Sequence, residues 1–392
     1  MCALDSPPIP ILLACHTLGP GGTERQMTEM ALHLDRTRFR PHVMSFNPEG
    51  FRADELRSGG VPVVELPVRS FRDFSVLRAA GVFRAYLNEH NIQVVHPFDY
   101  PTVTFMAPLA RWFGAPVVLG SARGERALFP PLYRRALRFT DRLVHGIVAN
   151  SPFCADELIR IYGVAPDRIF LAPNGVDTVR FQPGHRSDLA PFRNAELVIG
   201  AVSVLRPEKS LENLIDAFQL LTNRHASWRL LIVGGGESET TLRRRAAAAL
   251  PSDRYRFLPS SSDVSPYYRA MDIFVLPSRS EAFSNALLEA MASGVCPVAS
   301  EAGGNPYILR HDDNGCLFPV GDSQALANLL ERLGTDPQTR HRLADTARHE
   351  AVSRYSLRAA ADRLGEIYTS VLRQAAIIPS ADNGITRRLS RR

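Results

Sequence analysis

The chain has 392 residues, 45% of them hydrophobic and 22% charged, and its 46 basic and 40 acidic side chains leave a net charge of +6. That size suits two domains, and the balanced composition excludes a disordered, collagenous or coiled-coil plan. No apolar run reaches the ~18 residues of a spanning helix, and five scattered cysteines without a CxxC pair indicate neither a disulfide framework nor a zinc site.

A reducing cytoplasm is the expected compartment. Residues 1–22 lack a basic segment ahead of their apolar stretch and read as a strand, not a signal peptide. Of the basic residues 45 are arginine, and the single lysine is Lys209. Arginine bias in the source genome is the simple explanation, but the position of the one lysine is a question in itself.

In chain order, short apolar strands alternate with helical periodicity. Strands are predicted at 9–15, 41–45, 61–66, 93–96, 116–119, 143–149 and 168–171, with helices at 23–34, 76–88, 101–113 and 152–162. A second series has strands at 197–204, 228–233, 256–258, 273–276, 296–299 and 315–318, with helices at 211–221, 239–250, 285–292 and 323–333. This alternation predicts two α/β domains, each a doubly wound parallel sheet with crossover helices. The domains are placed at 1–182 and 195–355, joined by a Pro- and Gly-containing linker at 183–194. Two closing helices are predicted at 337–354 and 357–373, and residues 375–392 read as a disordered basic tail.

The densest signal is 277–294, PSRSEAFSNALLEAMASG, where a strand, a loop and a helix start succeed one another. Ser284 is placed to cap that helix and Gly294 to end it. Free N–H groups at the helix start make an anion site, and Glu281 and Glu289 can converge beside it. Carboxylates there can accept from sugar or ribose hydroxyls. LRPEKS at 205–210 puts Arg206 and Lys209 at a strand's carboxyl end, where open α/β sheets bind ligands and where two cations suit a diphosphate. The loop GPGGTER at 19–25 and the glycines Gly234–Gly236 are two further strand ends where backbone can approach a phosphate. His96 and Arg123 stand at first-domain strand ends: His96 is a candidate catalytic residue that could hold a proton or a substrate hydroxyl, or equally a structural histidine, and Arg123 is a candidate for donor binding. PNGVD at 173–177 reads as a turn or as part of the cleft.

In the order GGTER, VVH, ANS, PNGVD, LRPEK, IVGGG and PSRSEAFSNALLEAMASG, the chain resembles the retaining nucleotide-sugar glycosyltransferases of family 4, which share the GT-B fold. The resemblance covers about residues 9–372, and the glutamate pair is its most specific part. It implies that Glu289 holds the ribose hydroxyls of a donor nucleotide and that Glu281 fixes the donor sugar. It implies that backbone amides around Phe283, Ser284 and Asn285 hold the diphosphate with Lys209 and Arg206. Gly21 and Gly22 would approach from the first domain, Gly234 would lie at the donor, and Leu258 would flank the base. The last long helix would cross back onto the first domain. Two departures stand out. Ser203 and Val204 fill the places where the family often has Gly-Arg, with Arg206 displaced toward the lysine. Arg123 stands near the place of a family histidine, and of an HxH pair only His96 remains.

The implied reaction moves a sugar, of hexosyl type, from a nucleotide-diphosphate donor to a glycan or lipid-linked acceptor with retention. It needs no cofactor, and no DxD-like metal pair is evident. Lys209, Arg206 and the helix start would stabilise the charge on the leaving diphosphate. A sugar-nucleotide epimerase or hydrolase is the nearest alternative. A nucleic-acid-binding protein is the alternative from another class, but the arginines are dispersed and no recognition motif is present. The arginine-rich amphipathic segment 129–142 reads either as a surface helix packed on its sheet or as a contact with an anionic inner membrane leaflet.

Overall fold

The computed structural model describes residues 7–71, 73–185, 192 and 195–377. Most of the expected linker at 183–194, and the tail from 378 onward, lie outside the described residues. The first sheet consists of β1 (Ile9–Thr17), β2 (Phe39–Asn47), β3 (Val63–Glu65), β4 (Val94–Pro97), β5 (Val117–Ala122), β6 (Gly146–Ala149) and β7 (Ile169–Leu171). The second consists of β8 (Leu197–Val202), β9 (Trp228–Val233), β10 (Tyr255–Leu258), β11 (Ile273–Leu276), β12 (Cys296–Ser300) and β13 (Cys316–Phe318). The orders are β3-β2-β1-β4-β5-β6-β7 and β10-β9-β8-β11-β12-β13, and the pairings within both are parallel. Both sheets are doubly wound, with the order reversing beside β1 in one and beside β8 in the other.

Each central strand is buried on both faces, so it reads as a continuous apolar run. In β1 the side chains of Ile11, Leu13 and Cys15 enter one core and those of Leu12 and Ala14 the other. In β8, Leu197, Ile199 and Ala201 face one core, and Val198 and Val202 the opposite one. Helices cover both faces. Several carry side-chain caps: Asp99 accepts from Thr102 N, Ser151 from Cys154 N and Asp336 from Thr339 N. Helix Phe51–Ser58 escapes the sequence reading because its eight residues lack an apolar stripe; it buries Arg52, Ala53 and Leu56.

The chain ends by changing domains. Helix Pro337–Tyr355 packs Ala347, Ala351 and Tyr355 into the second domain. Helix Leu357–Gln374 instead packs Leu364, Tyr368 and Leu372 into the first, against Leu34 and Phe39. Between them the outgoing and returning chains run side by side: Val176 N donates to Tyr355 O at 2.7 Å and Leu357 N to Val176 O at 3.1 Å.

This returning helix decides the fate of His96. Its ring is fully buried, with Nδ1 2.7 Å from the Tyr368 hydroxyl and Nε2 2.9 Å from Ser121 Oγ. Burial, reinforced by the charge of Arg123, pushes its pKa down to about 3. His96 is thus a satisfied core histidine, a correction to its expected place in the cleft. Tyr368→Phe leaves Nδ1 without its partner and should cost about 1–3 kcal/mol in urea denaturation. Because folded His96 refuses a proton that the unfolded chain accepts, its contribution is full above the ordinary imidazole value and declines as pH falls.

Candidate active site

Residues following the strands' carboxyl ends in one domain touch those of the other. Arg25 reaches Glu289, Asn174 reaches Asn285, and Ser280 Oγ donates to Glu125 Oε2 at 2.6 Å. The two switch points therefore share one cleft, the usual ligand position for such sheets.

On the second-domain side, helix Asn285–Ala292 begins after Ser284, whose Oγ accepts from Leu287 N at 3.3 Å. The amides of Asn285 and Ala286 lie in the first turn and have no helical acceptor. Phe283 turns its ring into the core against Tyr355, so only its backbone belongs to the site. Glu281 is buried, and its Oε1 accepts from Lys209 Nζ at 2.7 Å and from Ser278 Oγ at 2.9 Å. Lys209 extends from the turn Pro207–Lys209 after β8 and is 24% exposed. Its charge is therefore paired yet reachable from the cleft.

The Glu281 loop rests on a glycine pair that the sequence reading passed over. Gly304 N donates to Glu281 O at 2.7 Å. A Cβ on Gly304 would stand 1.9 Å from Ala282 O, and one on Gly303, where φ is +51°, 2.0 Å from Glu281 O. Both positions exclude a side chain. The signal was present as two glycines just beyond the predicted strand at 296–299.

Glu289 is buried and already held by two donors: the Tyr268 hydroxyl at 2.8 Å on Oε2 and the Arg25 guanidinium on Oε1. Burial opposes the charge of Arg25, but the Glu289 carboxylate outweighs it and raises the arginine's pKa. The Tyr268 phenol is pushed well above its ordinary value, first by burial and then by Glu289. Neither partner was legible, because Arg25 and Tyr268 lie 264 and 21 residues from Glu289.

On the first-domain side, Gly22 lies against Asn285: a Cβ there would be 3.1 Å from Asn285 Nδ2. Gly21 caps its helix beneath the Glu24 carboxylate, where a Cβ would fall 2.0 Å from Oε2. Asn285 is a hub, its Oδ1 accepting from Asn174 Nδ2 at 2.8 Å and from Gln26 Nε2 at 3.1 Å. Asn174 Oδ1 in turn accepts from Arg123 Nη2 at 2.7 Å. Arg123 lies over the Phe98 ring, 4.8 Å from its centroid, and pairs with no carboxylate among the described residues. Burial lowers its pKa to about 10, so it stays a cation at neutral pH.

Two further expected residues stand apart from that group. Arg206 does not join the Lys209–Glu281 group; its side chain is 59% exposed and its nearest carboxylate is Glu208, 3.9 Å away. Gly234 serves packing: its φ is +144° and a Cβ would stand 1.8 Å from Ser203 O, so it lets the exits of β8 and β9 lie together. Leu258, at the end of β10, accepts from Gly234 N at 3.0 Å through its carbonyl, and its half-buried side chain borders the core. Among the described residues one trio has metal-ligand chemistry, His311, Asp312 and Cys316. It stands at the amino end of β13, and Arg332 already occupies Asp312.

Two parallel doubly wound domains facing one cleft, with a helix crossing back, define the GT-B class. The chain matches the model of Glycosyltransferase Family 4 over residues 20–180 and that of Glycosyl transferases group 1 over residues 189–350. It is 30% identical over 298 residues to the D-inositol 3-phosphate glycosyltransferase of Thermobifida fusca, covering 69% of this chain and 68% of that one. It is 32% identical over 240 residues to the protein of that name from Saccharomonospora viridis, covering 58% and 56%. The chain spans a little over half the length of several such curated relatives. Anabaena HepE, solved with UDP and glucose, superposes with a TM-score of 0.81 at 21% identity, covering 92% of this chain and all of that one. The lipopolysaccharide outer core galactosyltransferase WaaB superposes at 0.72 with 15% identity over 92% of this chain and 99% of its own. The chain belongs to the family 4 glycosyltransferases.

The pair joining the domains is open to a direct test. Arg25→Met leaves the buried Glu289 with Tyr268 alone and should cost about 1–3 kcal/mol in urea denaturation. Combined with Glu289→Gln, the loss should be smaller than the sum of the two single losses.

Proposed function

We propose that the cleft binds a nucleotide-diphosphate sugar and that the protein transfers the sugar to an acceptor hydroxyl. The observation that carries this reading is the Lys209–Glu281 pair beside the start of helix Asn285–Ala292. A diphosphate at the helix start meets free N–H groups and the Lys209 ammonium. As the bond from the anomeric carbon to the diphosphate breaks, charge grows on that oxygen, and the same groups stabilise it more strongly than in the ground state. Glu281, with only Oε1 engaged among the described residues, has Oε2 for a sugar hydroxyl. Glu289 is assigned to the ribose, whose hydroxyls would share or replace the Arg25 contact.

Arg123, without a carboxylate partner among the described residues, would add a cation on the first-domain side. Neighbours solved with UDP and UDP-glucose support the donor class. Retention comes with the family resemblance. A glycan or lipid-linked acceptor of the cell surface is the preferred reading; the relatives' names favour an inositol phosphate as the second. Binding of sugar nucleotides without any acceptor dependence would instead fit an epimerase or hydrolase. No metal ion or cofactor is assigned to the reaction.

In a thermal-shift panel of UDP-glucose, GDP-mannose and ADP-glucose, the true donor should stabilise the chain by about 2.7 kcal/mol at 100 times its Kd. Lys209→Ala and Lys209→Arg should each lower turnover by about 100-fold or more without unfolding the chain. Wild-type turnover in Lys209→Ala would remove the site assignment.

We also propose peripheral contact with the inner membrane face from a cytoplasmic position. Helix Pro131–Leu143 turns Leu132, Arg135, Phe139 and Arg142 outward along one side. Phe71 meets its Tyr133, and Phe74 nearby is 86% exposed. No described helix is long and apolar enough to cross a membrane. The chain should sediment with anionic vesicles at low salt and be released as salt rises; Phe74→Ser with Phe139→Ser should weaken that binding.

A further inference from the structure

We propose that Asn174 positions Arg123 as the first-domain cation for the donor diphosphate, so that one side-chain amide joins the two sides of the diphosphate site. The inference rests on the sugar-nucleotide reading above and adds the residue through which the first domain takes part in it.

Arg123 follows β5 at the carboxyl end of the first sheet and is partly exposed. Its guanidinium lies over the Phe98 ring, 4.8 Å from the centroid, and Nη2 donates to Asn174 Oδ1 at 2.7 Å. Phe98 is itself buried and packs on the His96 ring, 4.6 Å between centroids. His96 is locked in turn by Tyr368 and Ser121. The aromatic floor under the guanidinium is therefore part of the core.

Asn174 is held as firmly. It is buried, and Gln26 grips the backbone beside it: Gly175 N donates to Gln26 Oε1 and Gln26 Nε2 to Gly175 O, both at 2.8 Å. A Cβ on Gly175 would stand 3.0 Å from Ala360 Cβ, so the turn also lies tight against the returning helix. Through its nitrogen the amide reaches the second domain. Asn174 Nδ2 donates to Phe283 O at 3.1 Å and to Asn285 Oδ1 at 2.8 Å. These two residues flank Ser284, the cap of helix Asn285–Ala292. Only two hydrogen bonds thus separate the guanidinium from the helix start.

The residue type matters. An arginine only donates and a carbonyl only accepts, so the Asn174 amide has a single orientation that serves both. A carboxylate in its place could not donate to Phe283 O, and it would neutralise the arginine. The amide fixes the direction of the cation without consuming its charge, and among the described residues no carboxylate pairs with Arg123. The remaining donors of the fork suit the oxygens of a phosphate. Arg123 and Asn174 belong to the first domain, and Phe283 and Asn285 to the second. The two sides of the site are therefore complete only while the domains are in contact.

The test is nucleotide binding by the full chain, measured by calorimetry with UDP, GDP and ADP and with the monophosphate of whichever base binds best. Arg123→Met should weaken diphosphate binding about 10-fold or more and monophosphate binding far less, and Arg123→Lys should keep part of the difference. A merely structural role would weaken both nucleotides alike. Asn174→Asp should lose at least as much diphosphate affinity as Arg123→Met, and adding Arg123→Met to it should cost nothing further. Urea denaturation shows which variants fold; if Asn174→Asp does not, Asn174→Ala replaces it with the same absence of additivity expected. Unchanged diphosphate affinity in Arg123→Met, equal losses for the two nucleotides, or additive losses at 123 and 174 overturn the proposal and leave the donor reading standing. Binding of none of the three diphosphates by the wild type overturns the donor reading, and this inference with it.

Discussion

The structure depends on where the chain turns back. At Val176 and Leu357 the outgoing and returning segments exchange two backbone hydrogen bonds, and the helix that follows becomes part of the first domain's core. A last helix confined to the second domain would leave the apolar face of the first, including Leu34 and Phe39, open to water. Placed as it is, the helix buries that face and seals His96 through Tyr368. The two sheets are thereby linked by two adjacent segments of chain. The cleft opens at the carboxyl ends because that is where both sheets reverse their order.

Within that cleft, two ion pairs hold the glutamates and one arginine stands without a carboxylate among the described residues. Lys209 with Glu281 and Arg25 with Glu289 each satisfy a buried carboxylate whose isolation would be costly. The first pair lies within the second domain and sets the position of the ammonium. The second spans the domains and ties the first helix's start to the glutamate helix. A ligand of the proposed class, presenting phosphates and hydroxyls, would exchange partners with these residues instead of entering a void. Arg123 is the exception, since its contacts are an amide oxygen and an aromatic face. Among the described residues no carboxylate offsets its cost of burial.

The strands were legible because double burial makes them short apolar runs, and the glutamate helix was legible because cap, anion site and carboxylates lie within eighteen consecutive residues. Side-chain direction was not. His96 and Arg206 both stand at the carboxyl side of a sheet, yet one points into the core and the other is exposed. Nothing local distinguishes them, because Tyr368 lies 272 residues from His96. The same limit hid Asn174 and Gln26, whose amides meet Asn285 across 111 and 259 residues. Gly234 shows the same limit: a glycine at a strand end serves a phosphate or a neighbouring strand's exit equally well, and the requirement for glycine that Ser203 O imposes is invisible in the sequence.

The single lysine is best understood from this geometry. Glu281 Oε1 already accepts from Ser278 Oγ, so the cation beside it has one bond to make at that oxygen and a charge to direct elsewhere. A lysine ammonium does this with three donors rotating about one point. An arginine fork would match both carboxylate oxygens at once, compete with Ser278 and engage Oε2, the oxygen proposed for a sugar hydroxyl. Arginine's delocalised charge would also spread away from the helix start. In a chain that otherwise uses arginine for every cation, the place that retains lysine is one where a planar, bidentate partner would close the site it is meant to hold open.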